Sequence, residues 1–369
     1  PIWESTDTYT GCQELVWIDI DRDGDQDLAT IHFSTGHARI HLNNDGEMVD
    51  IIGVVRDFHF DSMHDDIQPL MLHTSQYNNI WYLFDCGEAT QHQILRSRLS
   101  IGKLSTIFIT HMNGDHYYGL PGLLSSKKLD TAFRPLTIYG PSGIKKFLEC
   151  VMDISYENLG YELKIVEFKA QEIFNFDKFS LKILALEHSV ESFAFYIKEN
   201  DIVDKINEAK LRTIGLEPSP LYGDLQRGKS VIFQGKELKP EEYTLDPITG
   251  RSLIIAGDNR RPDVLGDYLE DLGLLVHECT YTQDDYDNLA VKVMHTTAKD
   301  LGTVVQENRV KNLIATHINP RYNVKSTSGV ELIYNEIKRS FKKGLFIAND
   351  FDVYRLSKNG IVEKLEPYY

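Results

Sequence analysis

Nowhere in the chain does an apolar run approach the roughly 18–20 residues that a bilayer-spanning helix needs. No basic stretch leads into an apolar one, the pattern of a secretory signal. The four cysteines, Cys12, Cys86, Cys150 and Cys279, stand far apart and form no Cys-x-x-Cys pair. That spacing excludes a cysteine zinc ribbon and a disulfide framework, and it fits reduced thiols in the cytoplasm. Positive charge is scarce as well: 39 Lys and Arg face 55 Asp and Glu, a net charge of −16. The average field repels a polyanion, so a nucleic-acid substrate has to be held by local groups rather than by bulk charge. No internal repeat or low-complexity tract stands out. The remainder, 42% hydrophobic and 25% charged residues in 369, is ordinary for a globular chain of one large or two modest domains.

What the sequence does contain is concentrated in residues 107–124, IFITHMNGDHYYGLPGLL. An apolar strand runs straight into His111, Asn113, Asp115 and His116. Burying four polar side chains in one turn requires four partners, whereas imidazole and carboxylate clustered at a strand end suit a divalent metal. Three more apolar runs finish the same way: FSLKILALEH in His188, SLIIAGD in Asp258 and NLIATH in His317. Ligands gathered from strand ends on one rim of a sheet are how a rigid scaffold holds a site.

These residues sit in segments that, taken together, resemble tRNase Z, the metallo-β-lactamase-fold endonuclease that trims the 3′ end of precursor tRNA. The matching segments are LFDCGEATQHQIL (83–95), ITHMNGDHYYGLPGLL (109–124), IYGPSGIKKF (138–147), EHSVESFAF (187–195), GDNRRP (257–262), VHECTY (276–281), HTTA (295–298) and THINPRY (316–322). The resemblance covers residues 79–369 and implies an α/β fold, an αββα sandwich. It also implies two zinc ions, one held by His111, His188 and Asp258 and the other by Asp115, His116, Asp258 and His317, with Asp258 bridging. Asp115 falls where the family places a general base. His295, supported by Glu278, falls where the family steadies the scissile phosphate or protonates the leaving oxygen. The family pattern is His-x-His-x-Asp-His, and here the second histidine is Asn113. An amide oxygen is a poorer zinc ligand than an imidazole nitrogen, so the first site is expected to be weakened or shifted towards manganese or magnesium.

Residues 197–230 read as an excursion from the sheet, in the position of the arm with which the family grips the tRNA elbow. Lys205, Lys210, Arg212, Arg227 and Lys229 are its candidate phosphate contacts. The resemblance further implies a homodimer in which one subunit's arm serves the other's site.

Residues 1–78 do not follow the family, and the family's Pro-x-Lys-x-Arg-Asn recognition loop is absent. Asp19, Asp21, Asp23, Asp25 and Asp27 alternate around Gly24, a spacing that can wrap one calcium ion in oxygen ligands and resembles an FG-GAP or VCBS calcium loop. Residues 49–72 resemble a segment from the extracytoplasmic part of ABC-transporter permeases. The alternation in VWIDI, TIHF and IIGVV permits strands that complete an edge of the sheet. From residue 79 on, strands are expected at 80–86, 106–111, 136–140, 162–168, 179–187, 192–197, 252–257, 273–278, 312–317 and 344–348. Helices are expected at 88–98, 120–127, 142–153, 203–214, 262–271, 296–308 and 328–341.

The leading expectation is a metal-dependent endoribonuclease acting on precursor tRNA in the cytoplasm. The alternatives are a phosphodiesterase for small or cyclic nucleotide diesters, and a catalytically weakened RNA-binding relative marked by Asn113.

Overall fold

The protein is described here from a computed structural model. It describes residues 80–366, except positions 98, 130–133, 156–157, 202, 204 and 324–328, together with the backbone of five strands between Cys12 and Thr74.

Alternation of side chains along the strands builds two cores on either side of one sheet. Phe193, Phe195 and Ile197 of strand Ser192–Glu199 point inward, while Ala194 between them points outward. Leu274 and Val276 flank Leu275 in the same way. This period of two is what strand geometry imposes when both faces are covered. The sheet has seven strands. In spatial order they are Ile173–Asn175, Phe179–Leu186, Ser192–Glu199, Ser252–Ala256, Leu274–Glu278, Asn312–Thr316 and Gly344–Ile347.

A second sheet of eight strands faces it. Its order is Val362–Leu365, Val353–Leu356, Met48–Ile52, Leu70–Thr74, Ile80–Phe84, Leu104–Phe108, Leu136–Gly140 and Leu163–Glu167. Phe84, Phe108, Phe179, Phe193 and Phe195 fill the space between the sheets. The outer faces are covered by helices Ala298–Glu307 and Glu331–Ser340 on one side and by Thr90–Arg96, Leu120–Lys128 and Ile144–Ile154 on the other. The result is the expected αββα sandwich.

The last four strands of the first sheet are parallel, as are the last four of the second. Their carboxyl ends open on a common rim, where an isolated bridge joins His111 to Ser192 across the two sheets. Loops at the carboxyl ends of parallel strands are where α/β folds place their ligands.

Expectation and structure part in several places, strand Ile173–Asn175 and helix Gln283–Asp287 among them. The helix expected at 262–271 is a 3-10 segment, Pro262–Leu269, interrupted at Gly266 by φ 51° and ψ −132°. The helix expected at 203–214 is only Glu208–Thr213. Strands Val353–Leu356 and Val362–Leu365 were not anticipated and close the eight-stranded sheet. Of the acidic alternation, Asp19, Asp21, Asp23 and Asp25 lie outside the described residues. Asp27 opens strand Asp27–His32 of a three-stranded sheet with Cys12–Ile18 and His37–His41. Among the described residues no helix is long and apolar enough to cross a membrane.

Residues 1–78 contribute Met48–Ile52 and Leu70–Thr74, which stand between Ile80–Phe84 and Val353–Leu356 in the sheet. A chain starting at residue 79 would leave two facing strand edges unpaired, with their backbone groups exposed. Such a truncation is expected to lower the thermal midpoint sharply or to yield aggregate. Unchanged stability and solubility would contradict this placement.

Candidate metal centre

Strand Leu104–Phe108 delivers Thr110 and His111 to the rim, and the short helix Gly114–Tyr117 then carries Asp115 and His116. Asp258 follows Ser252–Ala256, His188 follows Phe179–Leu186, and His317 follows Asn312–Thr316 with a left-handed φ of 55°. Gly257 is required here by close approach: a Cβ on it would meet the Thr110 side chain at 2.5 Å.

Asp258, 3% exposed, is the hub. Its Oδ2 lies 3.7 Å from Nε2 of both His111 and His188. Its Oδ1 lies 3.1 Å from Nε2 of His317 and 3.6 Å from Nε2 of His116. Each carboxylate oxygen thus faces its own pair of imidazoles. His111, His188 and Asp258 form one group whose donor atoms lie within 4.8 Å of one another; Asp115, His116 and His317 form another.

The other ring nitrogens fix which tautomer each histidine presents. His188 Nδ1 lies 2.9 Å from the Met294 carbonyl and His116 Nδ1 lies 2.8 Å from Asp85 Oδ2. His111 Nδ1 is 2.9 Å from Thr110 Oγ1, which donates to Asp85; His317 Nδ1 is 2.9 Å from Thr280 Oγ1, which donates to Glu278. With Nδ1 donating in all four, the Nε2 lone pairs converge on Asp258. Nε2 of His111 and His116 is buried with no hydrogen-bond partner, a costly arrangement unless a cation takes the lone pair. The donor set of imidazole and carboxylate fits divalent metal.

Electrostatics agree for three of the four imidazoles; against burial, Asp85, Asp258 and Asp115 hold His116 well above its ordinary pKa in the metal-free protein. Burial, reinforced by neighbouring histidines, holds His111 well below its ordinary pKa; burial also lowers His188 and takes His317 to about 3. All three therefore present neutral imidazoles at neutral pH. His295 behaves oppositely: against burial, Glu278 pushes it up to about 9. Its Nδ1 lies 3.2 and 3.1 Å from the two Glu278 oxygens. Glu278 itself is buried and also accepts from Asn259 N, Thr280 Oγ1 and Thr296 N. His295 is thus a held imidazolium at the edge of the ligand cluster, 3.9 Å from Asp258.

Asn113 reaches the same rim, its Nδ2 3.3 Å from His188 Nε2. Because His188 Nδ1 already donates to a carbonyl, that contact occupies the lone pair a metal would use.

Two protein relatives bear directly on this arrangement. Ribonuclease Z of Marinobacter nauticus is 37% identical over 292 residues, spanning 78% of this chain and 90% of its own. The chain belongs to the ribonuclease Z family. Ribonuclease Z of Bacillus subtilis is 38% identical over 245 residues, 66% of this chain and 79% of its own. The crystal structure of the short form of human tRNase Z shares the fold, with a TM-score of 0.55 and 24% identity, covering 82% of this chain and 98% of that one. The family profile described as Anti-Pycsar protein Apyc1 matches residues 52–206.

Strands Ser192–Glu199 and Ser252–Ala256 pair directly, and the chain between them, where the arm is expected, forms a small body of its own. Helices Glu208–Thr213 and Pro220–Gln226, hairpin strands Val231–Phe233 and Lys236–Leu238, and helix Pro240–Tyr243 close over Leu211, Leu225, Leu238 and Tyr243. The excursion therefore runs on past residue 230. Three of the expected phosphate contacts are engaged locally: Lys210 with the Glu242 carbonyl, Arg212 with Glu208 and Arg227 with Asp224. Lys229 is exposed beside the hairpin.

Sequence reasoning missed Asp85, Thr110 and Thr280, which orient the ligating imidazoles. Asp85 had a signal, lying in LFDCG at a strand end with a positive φ of 58°, but a carboxylate that binds histidines rather than metal leaves no spacing pattern.

Proposed function

We propose that this chain is a metal-dependent endoribonuclease that removes the 3′ trailer from precursor tRNA. The observation that carries the reading is Asp258, whose two oxygens each face a separate pair of imidazoles; membership of the ribonuclease Z family supplies the substrate. In this reading His111, His188 and Asp258 would hold one zinc, weakened by Asn113 at the position of a further ligand, and Asp115, His116, Asp258 and His317 would hold the other. When bound, the metals activate water and neutralise charge growing on the phosphodiester.

The protein's own groups do the remaining work. Burial opposes ionisation of Asp115, but its contacts with His116, its own backbone and His295 together hold the carboxyl below its ordinary pKa, so it can accept a proton from the attacking water. His295, protonated at neutral pH, can give its proton to the departing 3′-oxygen, and Glu278 keeps it charged and aimed. Asp85 and Thr280 hold the ligating rings against rotation. Lys229 and its basic neighbours on the excursion contact tRNA phosphates, a homodimer brings the excursion to the other subunit's site, and the cytoplasm keeps the buried thiols of Cys86 and Cys279 reduced.

A second reading, hydrolysis of small or cyclic nucleotide diesters, is favoured by the missing Pro-x-Lys-x-Arg-Asn loop. Purified protein with added zinc or manganese, offered precursor tRNA and a cyclic mononucleotide side by side, separates the two. Precursor cleavage is expected; turnover of the cyclic diester with the precursor left intact would select the second reading.

A further inference from the structure

The loop that carries Asp115 and His116 ends in an exposed ring that the chemistry described so far does not use. Tyr118 is 53% exposed, although it directly follows the ligand helix Gly114–Tyr117. Its ring lies flat over Gly114: a Cβ there would come within 2.2 Å of a Tyr118 ring carbon. Gly114 separates Asn113 from Asp115, so the ring rests on the ligand loop itself. Tyr117 packs edge-on against it at 4.8 Å and 70°, and Phe147 lies roughly parallel at 6.4 Å and 30°. Tyr117 is in turn edge-on to Phe147 at 4.8 Å. The ring is held by glycine backbone and two aromatic neighbours, yet half of the residue stays exposed. A large exposed aromatic in that setting loses little freedom when something flat covers it.

We propose that Tyr118 is a stacking platform for a nucleobase next to the scissile phosphate, and that this base belongs to the first nucleotide of the trailer. The inference rests on the reading of the site as a precursor-tRNA nuclease. RNA recognition outside duplexes relies on bases splayed onto aromatic rings, and such stacking tolerates any base, as a trailer of variable sequence requires. The side of the cut is assigned from the roles proposed for Asp115 and His295. His295 handles the departing 3′-oxygen of the mature tRNA and shares a 4.8 Å donor group with Asp258 and His317, whereas Asp115 shares one with His116 and His317. Tyr118 caps the short helix that carries Asp115, the group given to the attacking water.

The test is a cycle in the zinc-loaded full chain, crossing Tyr118→Ala with removal of one base. Three precursors are compared: an intact one, one abasic at the first trailer nucleotide, and one abasic at the last nucleotide before the cut. Tyr118→Ala is expected to lower kcat/KM on the intact precursor roughly 5- to 100-fold. On the precursor lacking the first trailer base it should cost nothing further, and Tyr118→Phe should behave as the unmodified protein on all three. 2-Aminopurine at the first trailer position should be quenched on binding by the unmodified protein and by Tyr118→Phe, but not by Tyr118→Ala. An equal loss on both abasic precursors, no loss at all, or coupling to the base before the cut would overturn the platform. Failure of the unmodified protein to cleave the intact precursor would instead remove the nuclease reading, and the platform with it.

Discussion

Asp258→Asn is expected to lower precursor cleavage by at least about a thousandfold while leaving the metal-free protein folded. The side chains have the same shape, but the amide cannot supply an anionic oxygen to each of two ligand groups, and that charge is what the arrangement around Asp258 provides. Burial pushes the Asp258 carboxyl up to about 7 in the metal-free protein. The sign of the stability effect follows. Between about pH 4, where an unfolded carboxyl ionises, and about pH 7, the folded state binds one more proton than the unfolded one, so stability falls as pH rises. Above about pH 7 the contribution is flat and unfavourable. Asp258→Asn removes that slope, so at pH 7.5 the metal-free variant should melt no lower than its parent. What it should lose is the rise in melting temperature on adding zinc, because a ligand that binds only the folded state stabilises in proportion to its affinity. Scanning calorimetry with and without zinc reads both effects. A full zinc-induced rise in the variant would contradict the role given to Asp258.

Asn113→His is expected to move activity the other way. At limiting zinc, cleavage should rise about 10- to 100-fold, the range by which even indirect disturbance of a metal ligand alters affinity or activity. The cause lies at one contact: the Asn113 amide, 3.3 Å from His188 Nε2, competes for a ligand lone pair. An imidazole there, presented as a lone pair like its four neighbours, would add a donor in place of a competitor. At saturating zinc the gain should shrink, since occupancy no longer limits the rate. Direct zinc titration should show the weaker of two binding steps tightening while the stronger stays put. If neither titration nor activity responds, the substitution at position 113 is not what limits the first site.

The fold and the ligand cluster differ in how readably the chain encodes them. His111, His188, Asp258 and His317 each end an apolar run, and a strand that stops at a titratable residue shows in sequence without any knowledge of its neighbours. Their convergence on one carboxylate does not show, because it depends on four separate strands reaching the same rim. Asp85, Thr110 and Thr280 were missed for the same reason: each matters only for the imidazole beside it in space. Strands Val353–Leu356 and Val362–Leu365 are four residues long and half polar, too short for alternation to register. The hairpin within the excursion turns at Gln234 and Gly235, both with positive φ (51° and 78°). Two left-handed residues are what a type I′ turn needs, and Asn-Gly there is the familiar signal; Gln-Gly hid it. The kink at Gly266 is likewise a backbone event that helical spacing cannot reveal.

The most direct test of the two-metal nuclease account is the position and chemistry of the cut. Zinc-loaded protein is given a precursor tRNA with a 3′ extension, and both products are mapped to the nucleotide. The account predicts one cut at the end of the mature tRNA, leaving a 3′-hydroxyl on the tRNA and a 5′-phosphate on the trailer. An intact precursor under both zinc and manganese, or cuts scattered along the trailer, would contradict it.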